Sequence, residues 1–385
     1  MTPPVTGAAL GGTPAFPQLL GRGRPWLPSR ARIEAALDGI IERHWYTNHG
    51  PLAQELEQRL QAMLGVRHAV CVVNGTIGLV MAAEALGLRG KVLLPATARQ
   101  AAVDSLAWTG LQPVFADANP DTLLTDRGHM QAAAEQAGSG LCAMLATRPW
   151  GLHGDTAGPI ALASEHAIPV WFDSSDALGS IGLDESRPGR AGACEVFSLG
   201  PGRMVTATEG GCIVTDDDEL AARLRNIRSS YGAGHPVKVV RTANGRMSEF
   251  QAAVALLSLD DLPANQAHLS TLLAAYRGAL AGIPGIQMRP GAAHATSGVS
   301  AIISVDEAEL GLSRDDLIRC MAVENIAAGP LLQAGAWSEL AGAAHIAASC
   351  IRLPVGRAMT VDDACRVGET VRRIAHAAPA LRVRA

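Results

Sequence analysis

Lysine is almost missing from this chain of 385 residues. Of its 32 basic side chains only Lys91 and Lys238 are lysines; the other 30 are arginines, a bias that a GC-rich genome readily produces. A guanidinium stays protonated, so chemistry that needs a neutral amine has two candidates in the whole sequence. The seven cysteines (Cys71, Cys142, Cys194, Cys212, Cys320, Cys350, Cys365) show no C-x-x-C spacing, and several sit in apolar runs such as "HAVCVV" and "GLCAML". That argues against a disulfide framework and against a zinc site, so no metal is expected. Positive charge is not in excess either. A net charge of −4 and a pI near 6.3 give no footing for nucleic acid or an anionic membrane. No apolar run reaches bilayer-spanning length, and "MTPPVTGAALGGTPAFPQLL" is too rich in Pro and Gly for a signal peptide. These absences predict a cytoplasmic protein.

What is present is a globular chain, 48% hydrophobic and 18% charged, long enough for two cores. "SRARIEAALDGIIERHW" has helical spacing, and "PLAQELEQRLQAML" carries one stripe of Leu56, Leu60, Met63 and Leu64. Short apolar runs then alternate with helical stretches: "AVCVV" (69–73), "KVLLP" (91–95), "QPVFAD" (112–117), "LCAMLAT" (141–147), "PVWFD" (169–173), "EVFSL" (195–199) and "GCIVT" (211–215). Continuous runs this short suit strands buried on both faces of a mainly parallel sheet, with the helices as crossovers. The expectation is a large α/β domain over 46–262 and a smaller α+β domain built from 1–45 and 263–385. The smaller one should hold the strand "SAIISV" and helices at 313–324 and 361–377.

Three motifs stand at the ends of these elements. "VVNGTIGLVMAAEAL" (72–86) is a strand, an Asn-Gly-Thr turn and a helix. Free N–H groups at such a helix start, beside a threonine hydroxyl, favour a phosphate, although the same turn also serves as a plain N-cap. "PVWFDSSDALG" ends a buried strand on Asp173, where ligands meet sheets of this kind; a capping aspartate is the other reading. "RTANGRMSEFQAAVALLSL" places Asn244 and Arg246 before a helix that Ser248 and Gln251 could start as a capping box.

Taken in order, these pieces resemble the DegT/StrS-type sugar aminotransferases, which are PLP enzymes of fold type I. The resemblance covers nearly the whole chain, from "LGGTPAFP" through "ATEGGCIVTDDDELAARLRNIR" and "ANGRMSEFQAA" to "IRLPVGRAMTVDDACRV". It implies a homodimer, with active sites at the interface, handling nucleotide-linked sugars or related polyols. Residue by residue, it implies a phosphate site at Gly75 and Thr76, with Ser198 beside it. Asp173 would pair with the pyridine nitrogen, and Asn244 would approach the phosphate of the partner subunit.

The resemblance breaks where the chemistry should be. The motif F-S-F-H-x-T-K reads "FSLGPGR", so the Schiff-base lysine is matched by Arg203 and the histidine by Gly200. The stacking aromatic is matched by Arg99, a polar His or Gln by Asp176, and a further histidine by Arg148. Arginine can form no imine and shuttle no proton. The expectation is therefore a divergent enzyme of deoxysugar or natural-product biosynthesis that uses no cofactor. Its acid–base chemistry would act on a small anionic or sugar-like substrate, with Asp173, Asp176 and Arg203 as catalytic residues. Arg99, Arg148 and Asn244 would bind that substrate through charge-assisted hydrogen bonds. The arginines could instead pair with the aspartates and fill the pocket. Two other functions stay open: PLP or PMP held without an internal aldimine, or an inactive subunit supporting an active paralogue in a heterodimer.

Overall fold

The structure is a computed structural model that describes residues 8–21, 27–180, 188–229, 243–289, 300–333, 335 and 337–382. Lys238 and the start of the "RTANGRM" motif lie outside the described residues. All seven expected runs are strands, to within a residue or two at their ends. They are β1 (His68–Val72), β2 (Lys91–Pro95), β3 (Gln112–Ala116), β4 (Leu141–Thr147), β5 (Val170–Asp173), β6 (Glu195–Ser198) and β7 (Gly211–Thr215). They form one sheet in the order β1-β7-β6-β5-β4-β2-β3. Every pairing is parallel except the two made by β7, which runs against β1 and β6. The sheet is mainly parallel, and its one reversed strand lies beside the strand β6 that leads into the motif around Arg203.

Helices cover the sheet on both sides: α1 (Arg30–Arg43), α2 (Pro51–Leu64), α3 (Gly75–Ala85), α4 (Gln100–Trp108), α5 (Arg127–Ala137), α6 (Ala157–Glu165), α7 (Asp218–Ser229) and α8 (Glu249–Asp260). The stripe read from α2 buries Leu56, Leu60 and Leu64, while Met63 is only half-buried at its edge. The start of α8 is a capping box, with Ser248 accepting from the Gln251 N–H and Gln251 accepting from the Ser248 N–H. Both interactions satisfy N–H groups that a helix start otherwise leaves unpaired.

Beyond α8 come the long helix α9 (Leu262–Leu280) and a four-stranded antiparallel sheet of order β10-β11-β9-β8. Its strands are β8 (Ile286–Arg289), β9 (Ala301–Val305), β10 (Gly329–Pro330) and β11 (Cys350–Leu353). Helices α10 (Glu307–Leu310), α11 (Arg314–Val323), α12 (Ala341–Ser349) and α13 (Val361–Arg382) complete this part, α13 packing along α9. The chain start is divided. Residues around Phe16 and Leu20 hydrogen-bond to Glu324 and Asn325, whereas α1 packs on α8 of the large sheet domain. One apolar core runs from α2 and α8 through Phe197 to α9 and α13, so no hydrophobic gap separates the two sheets. Asp117, just after β3, fastens them further. Its carboxylate accepts from the Gly342 N–H at 2.9 Å and the Ala343 N–H at 2.8 Å, capping α12 from the other domain.

Candidate active site

The site lies at the carboxyl ends of β4, β5 and β6, where open sheets of this kind receive ligands. Asp173 is the last residue of β5 and is buried. Its Oδ1 accepts the backbone N–H of Ser175 at 3.0 Å and also the Ser175 hydroxyl. Among the described residues no hydrogen bond reaches Oδ2. The turn that follows returns to the sheet through the Ser174 N–H, which donates to Val196 at 2.9 Å, and this places Asp176 just outside the strand end.

Asp176 is where the arginines meet. Its Oδ1 forms a close ion pair with Nη1 of Arg203, and Nη1 of Arg99 stands 4.0 Å away. The Trp150 N–H donates to Oδ2 at 3.2 Å. Trp150 has φ +56°, a left-handed conformation that a bulky residue seldom adopts. Burial works against the charge on Asp176, but Arg203, Arg99 and Arg352 outweigh it and hold the carboxyl below its ordinary range. A carboxylate held this firmly is a weak base.

Arg203 rides on the loop between β6 and β7, and that loop is bolted down. The Thr206 N–H donates to Ser258 Oγ at 3.0 Å, and Asn265 Nδ2 donates to the Met204 carbonyl at 3.4 Å. Met204, Val205 and Ala207 are buried in the common core. Burial lowers the Arg203 pKa while Asp176 supports the charge. Its Nε is buried and has no hydrogen-bond partner among the described residues. Arg99, at the N-cap position of α4, keeps about a third of its side chain exposed (35%) and makes no capping bond.

Arg148, expected to bind substrate, lies apart from the Asp176 ion pairs and beside Glu195. It is buried, with Nε 3.4 Å from Oε2 of Glu195 and its guanidinium carbon 5.7 Å from the centre of the Phe172 ring. Glu195 also accepts from Gly189 N, Ala191 N and the Ser174 hydroxyl. Sequence reading missed both Glu195 and Arg352. The signal was there in each case: a lone charge inside a short apolar strand, "CEVFS" and "CIRLP". Asn244 is exposed, has φ +46°, and accepts from Arg246 at 2.6 Å. The next residue, Gly245, rests on Ile77 and Met81 of α3 in the same chain.

The residues expected at a phosphate end lie together at the start of α3. Asn74 caps α3 by accepting from Ile77 N at 2.8 Å. Gly75 lies so close to Ser198 that a Cβ there would stand 3.0 Å from the serine Cβ. Thr76 and Ser198, both half-buried, therefore flank the N–H groups of a helix start.

The family is now decided. The sequence profile of the DegT/DnrJ/EryC1/StrS aminotransferase family matches residues 29–372. The chain belongs to this family. A dTDP-4-amino-4,6-dideoxy-D-glucose transaminase of Shigella dysenteriae is 28% identical over 370 residues, spanning 91% of this chain and 98% of the relative. The crystal structure of DesI, determined in the presence of its TDP-sugar product, is 33% identical with a TM-score of 0.91, covering 98% of each chain. An E. coli GDP-4-keto-6-deoxy-D-mannose-3-dehydratase with bound hydrated PLP shares the fold at 17% identity and TM-score 0.79, covering 91% of this chain and 99% of its own. This DegT-family chain thus has the architecture of PLP-dependent transferases of fold type I, and its homologues are sugar aminotransferases. These likenesses point to PLP, so the expectation of a chain without cofactor draws no support from them and rests on residues 99 and 203.

Against PLP itself the residues fit at one end only. The α3 cradle and Asp173 suit the phosphate and the ring nitrogen. The imine end does not fit, because the Arg203 guanidinium cannot form an imine and is engaged by Asp176. Lys91 cannot substitute: it opens β2 at the amino end of the parallel strands, and its Nζ donates to the Ala137 carbonyl at 2.8 Å. Among the described residues no amine reaches the site.

Proposed function

We propose that this protein acts on a nucleotide-linked deoxysugar or a related biosynthetic metabolite without forming an imine to PLP. Arg203 and Arg99 hold an anionic group of the substrate, or the enolate it becomes, and Asp173 exchanges the proton. Asp176 then serves as counter-ion and not as the base, because three arginines stabilise its charged form. The observation that carries this reading is the buried, unpartnered Nε of Arg203 beside the half-open Arg99. A buried N–H without an acceptor costs about 1–3 kcal/mol, and a substrate oxygen would remove that cost. Asp173, one strand end away and with no hydrogen bond to Oδ2 among the described residues, would take a proton from a carbon made acidic by that anion-binding pair. Arg148 belongs to the floor of the site, tied to Glu195.

A second reading has its own support: the intact phosphate end favours PLP or PMP held without a covalent bond. Native mass spectrometry separates the two, while spectra and trapping test the missing imine that both share. Purified protein with added PLP should show no internal-aldimine band, and borohydride should label neither Lys91 nor Lys238. Native mass spectrometry that finds PMP or PLP bound at one per chain selects the second reading. Arg203→Lys should lower native activity by one to two orders of magnitude, about 1.4–2.8 kcal/mol, by losing the planar fork. If that variant instead gains an imine and transaminase turnover, the anion reading is wrong.

A further inference from the structure

The small sheet turns one particular face toward this site. In antiparallel strands, directly paired residues project to the same face, and so do residues two apart. Ile302 of β9 pairs with Arg352 on β11 and with Arg289 on β8, and Ser304 pairs with Cys350 and Gln287. One face therefore carries the row Arg289–Ile302–Arg352, with Cys350 in the next row. The residues between them, Ile303, Ile351 and Leu353, are buried on the opposite face in the core shared with α13. Ile302 and Cys350 identify where the arginine face points. They pack with Trp150 and Leu152, on the loop after β4, and Trp150 is the residue whose N–H donates to Asp176.

The two arginines of the row have different surroundings. Arg289 donates to Ser304 Oγ at 3.1 Å and to Asp121 at 3.3 Å, at the outer edge. Arg352 contributes to the positive field on Asp176, together with Arg203 and Arg99. Three guanidinium groups thus favour the charge on one carboxylate, two of them within 4.0 Å of it and the third through its field, from three separate segments: the start of α4, the β6–β7 loop, and a strand of the other domain.

We propose that Arg352 is the third donor of the anion site, so that the substrate's anionic group is gripped between the two domains. This rests on the anion-holding reading of Arg203 and Arg99. The ligand chemistry is an oxyanion with oxygens facing both sheets, which a phosphate or a carboxylate supplies. An arginine fork from each domain reads such a group from two directions, and a neutral polyol offers nothing comparable. Arg352 then sets specificity for charged over uncharged substrates.

Equilibrium binding to the full chain at fixed ionic strength tests this, with pyrophosphate and, separately, oxaloacetate as probes. Arg352→Gln should weaken the better probe about tenfold or more, and Arg203→Gln about a hundredfold, in keeping with the loss of charge-assisted bidentate bonds. Arg352→Lys, which keeps the charge and protects the fold, should weaken it about threefold with little change in Tm. Preference for pyrophosphate identifies a phosphate group, and preference for oxaloacetate a carboxylate. If both Arg352 variants bind within twofold of wild type while Arg203→Gln loses binding, Arg352 is only a counter-ion for Asp176; the proposal falls and the anion site stands. If Arg203→Gln binds normally as well, or the wild type takes neither probe, both fall.

Discussion

At Asp176 a buried carboxylate meets two guanidinium groups, the field of a third and one backbone N–H, and this balance makes a measurable demand on stability. Removing one member of a buried ion pair strands the other, at a cost of about 3–5 kcal/mol. Asp176→Asn should lower stability by that order at neutral pH, read by urea unfolding. The pH dependence has a definite sign. The folded pKa lies below the ordinary 3.8, so the unfolded chain takes up the proton first as pH falls. The stabilisation is full above the unfolded value and disappears as pH drops through the folded one. The gap between wild type and Asp176→Asn should therefore be wide at about pH 7 and shrink toward about pH 3. A gap of constant size would show that Asp176 is not held ionised by its arginines. Glu195 and Arg148 form a separate buried pair beside it.

Helix α3 owes its position to two glycines a turn apart. A Cβ at Gly78 would stand 2.9 Å from Val196 Cγ1 of β6, and one at Gly75 would press on Ser198. The helix start can approach the strand end only because these side chains are missing, and that approach brings Thr76 beside Ser198. Gly78→Ala should cost about 1–2 kcal/mol, because overpacking a rigid strand outweighs the better helix propensity of alanine. A thermal melt checks it; an unchanged or higher Tm would mean that α3 is not pressed against β6. The motif "VVNGTIGL" was legible in the sequence as a strand, a turn and a helix, and its capping reading is present. Asn74 is the N-cap, and Gly75 and Thr76 are the first two residues of the helix. The small-domain strands were much less legible. "IQMR" and "CIRL" are four residues long and interrupted by charge, too little pattern to separate from a loop.

For the whole molecule, the open matter is the second copy. We propose a homodimer, as the family resemblance implies, with the exposed turn at Asn244 near the partner's pocket. Sedimentation velocity at micromolar concentration should show a dimer, and a monomer would remove Asn244 from any role in a site. Within one chain the two sheets are joined by the continuous core and by Asp117 capping α12. Arg352 therefore belongs to a strand of this packed unit rather than to a loose arm. No helix among the described residues is long and apolar enough to cross a membrane.

The amino-acid sequence by itself determined the seven strands of the large sheet, the family, and the shortage of amines. Each of these is written locally, in runs of neighbouring residues or in which side chains occur at all. It also placed Arg203, Arg99 and Asp176 in one pocket, because the family's motifs carry that proximity with them. Only the tertiary structure decided which charge each arginine faces. Arg148 lies 47 positions before Glu195, and Arg352 lies 176 positions after Asp176. Apolar periodicity tells which way a side chain turns relative to its own strand, and it holds no information about which distant strand folds over it. The reversed direction of β7 was hidden for the same reason: a buried apolar run reads alike in either direction, and only its neighbours β1 and β6 establish which way it runs.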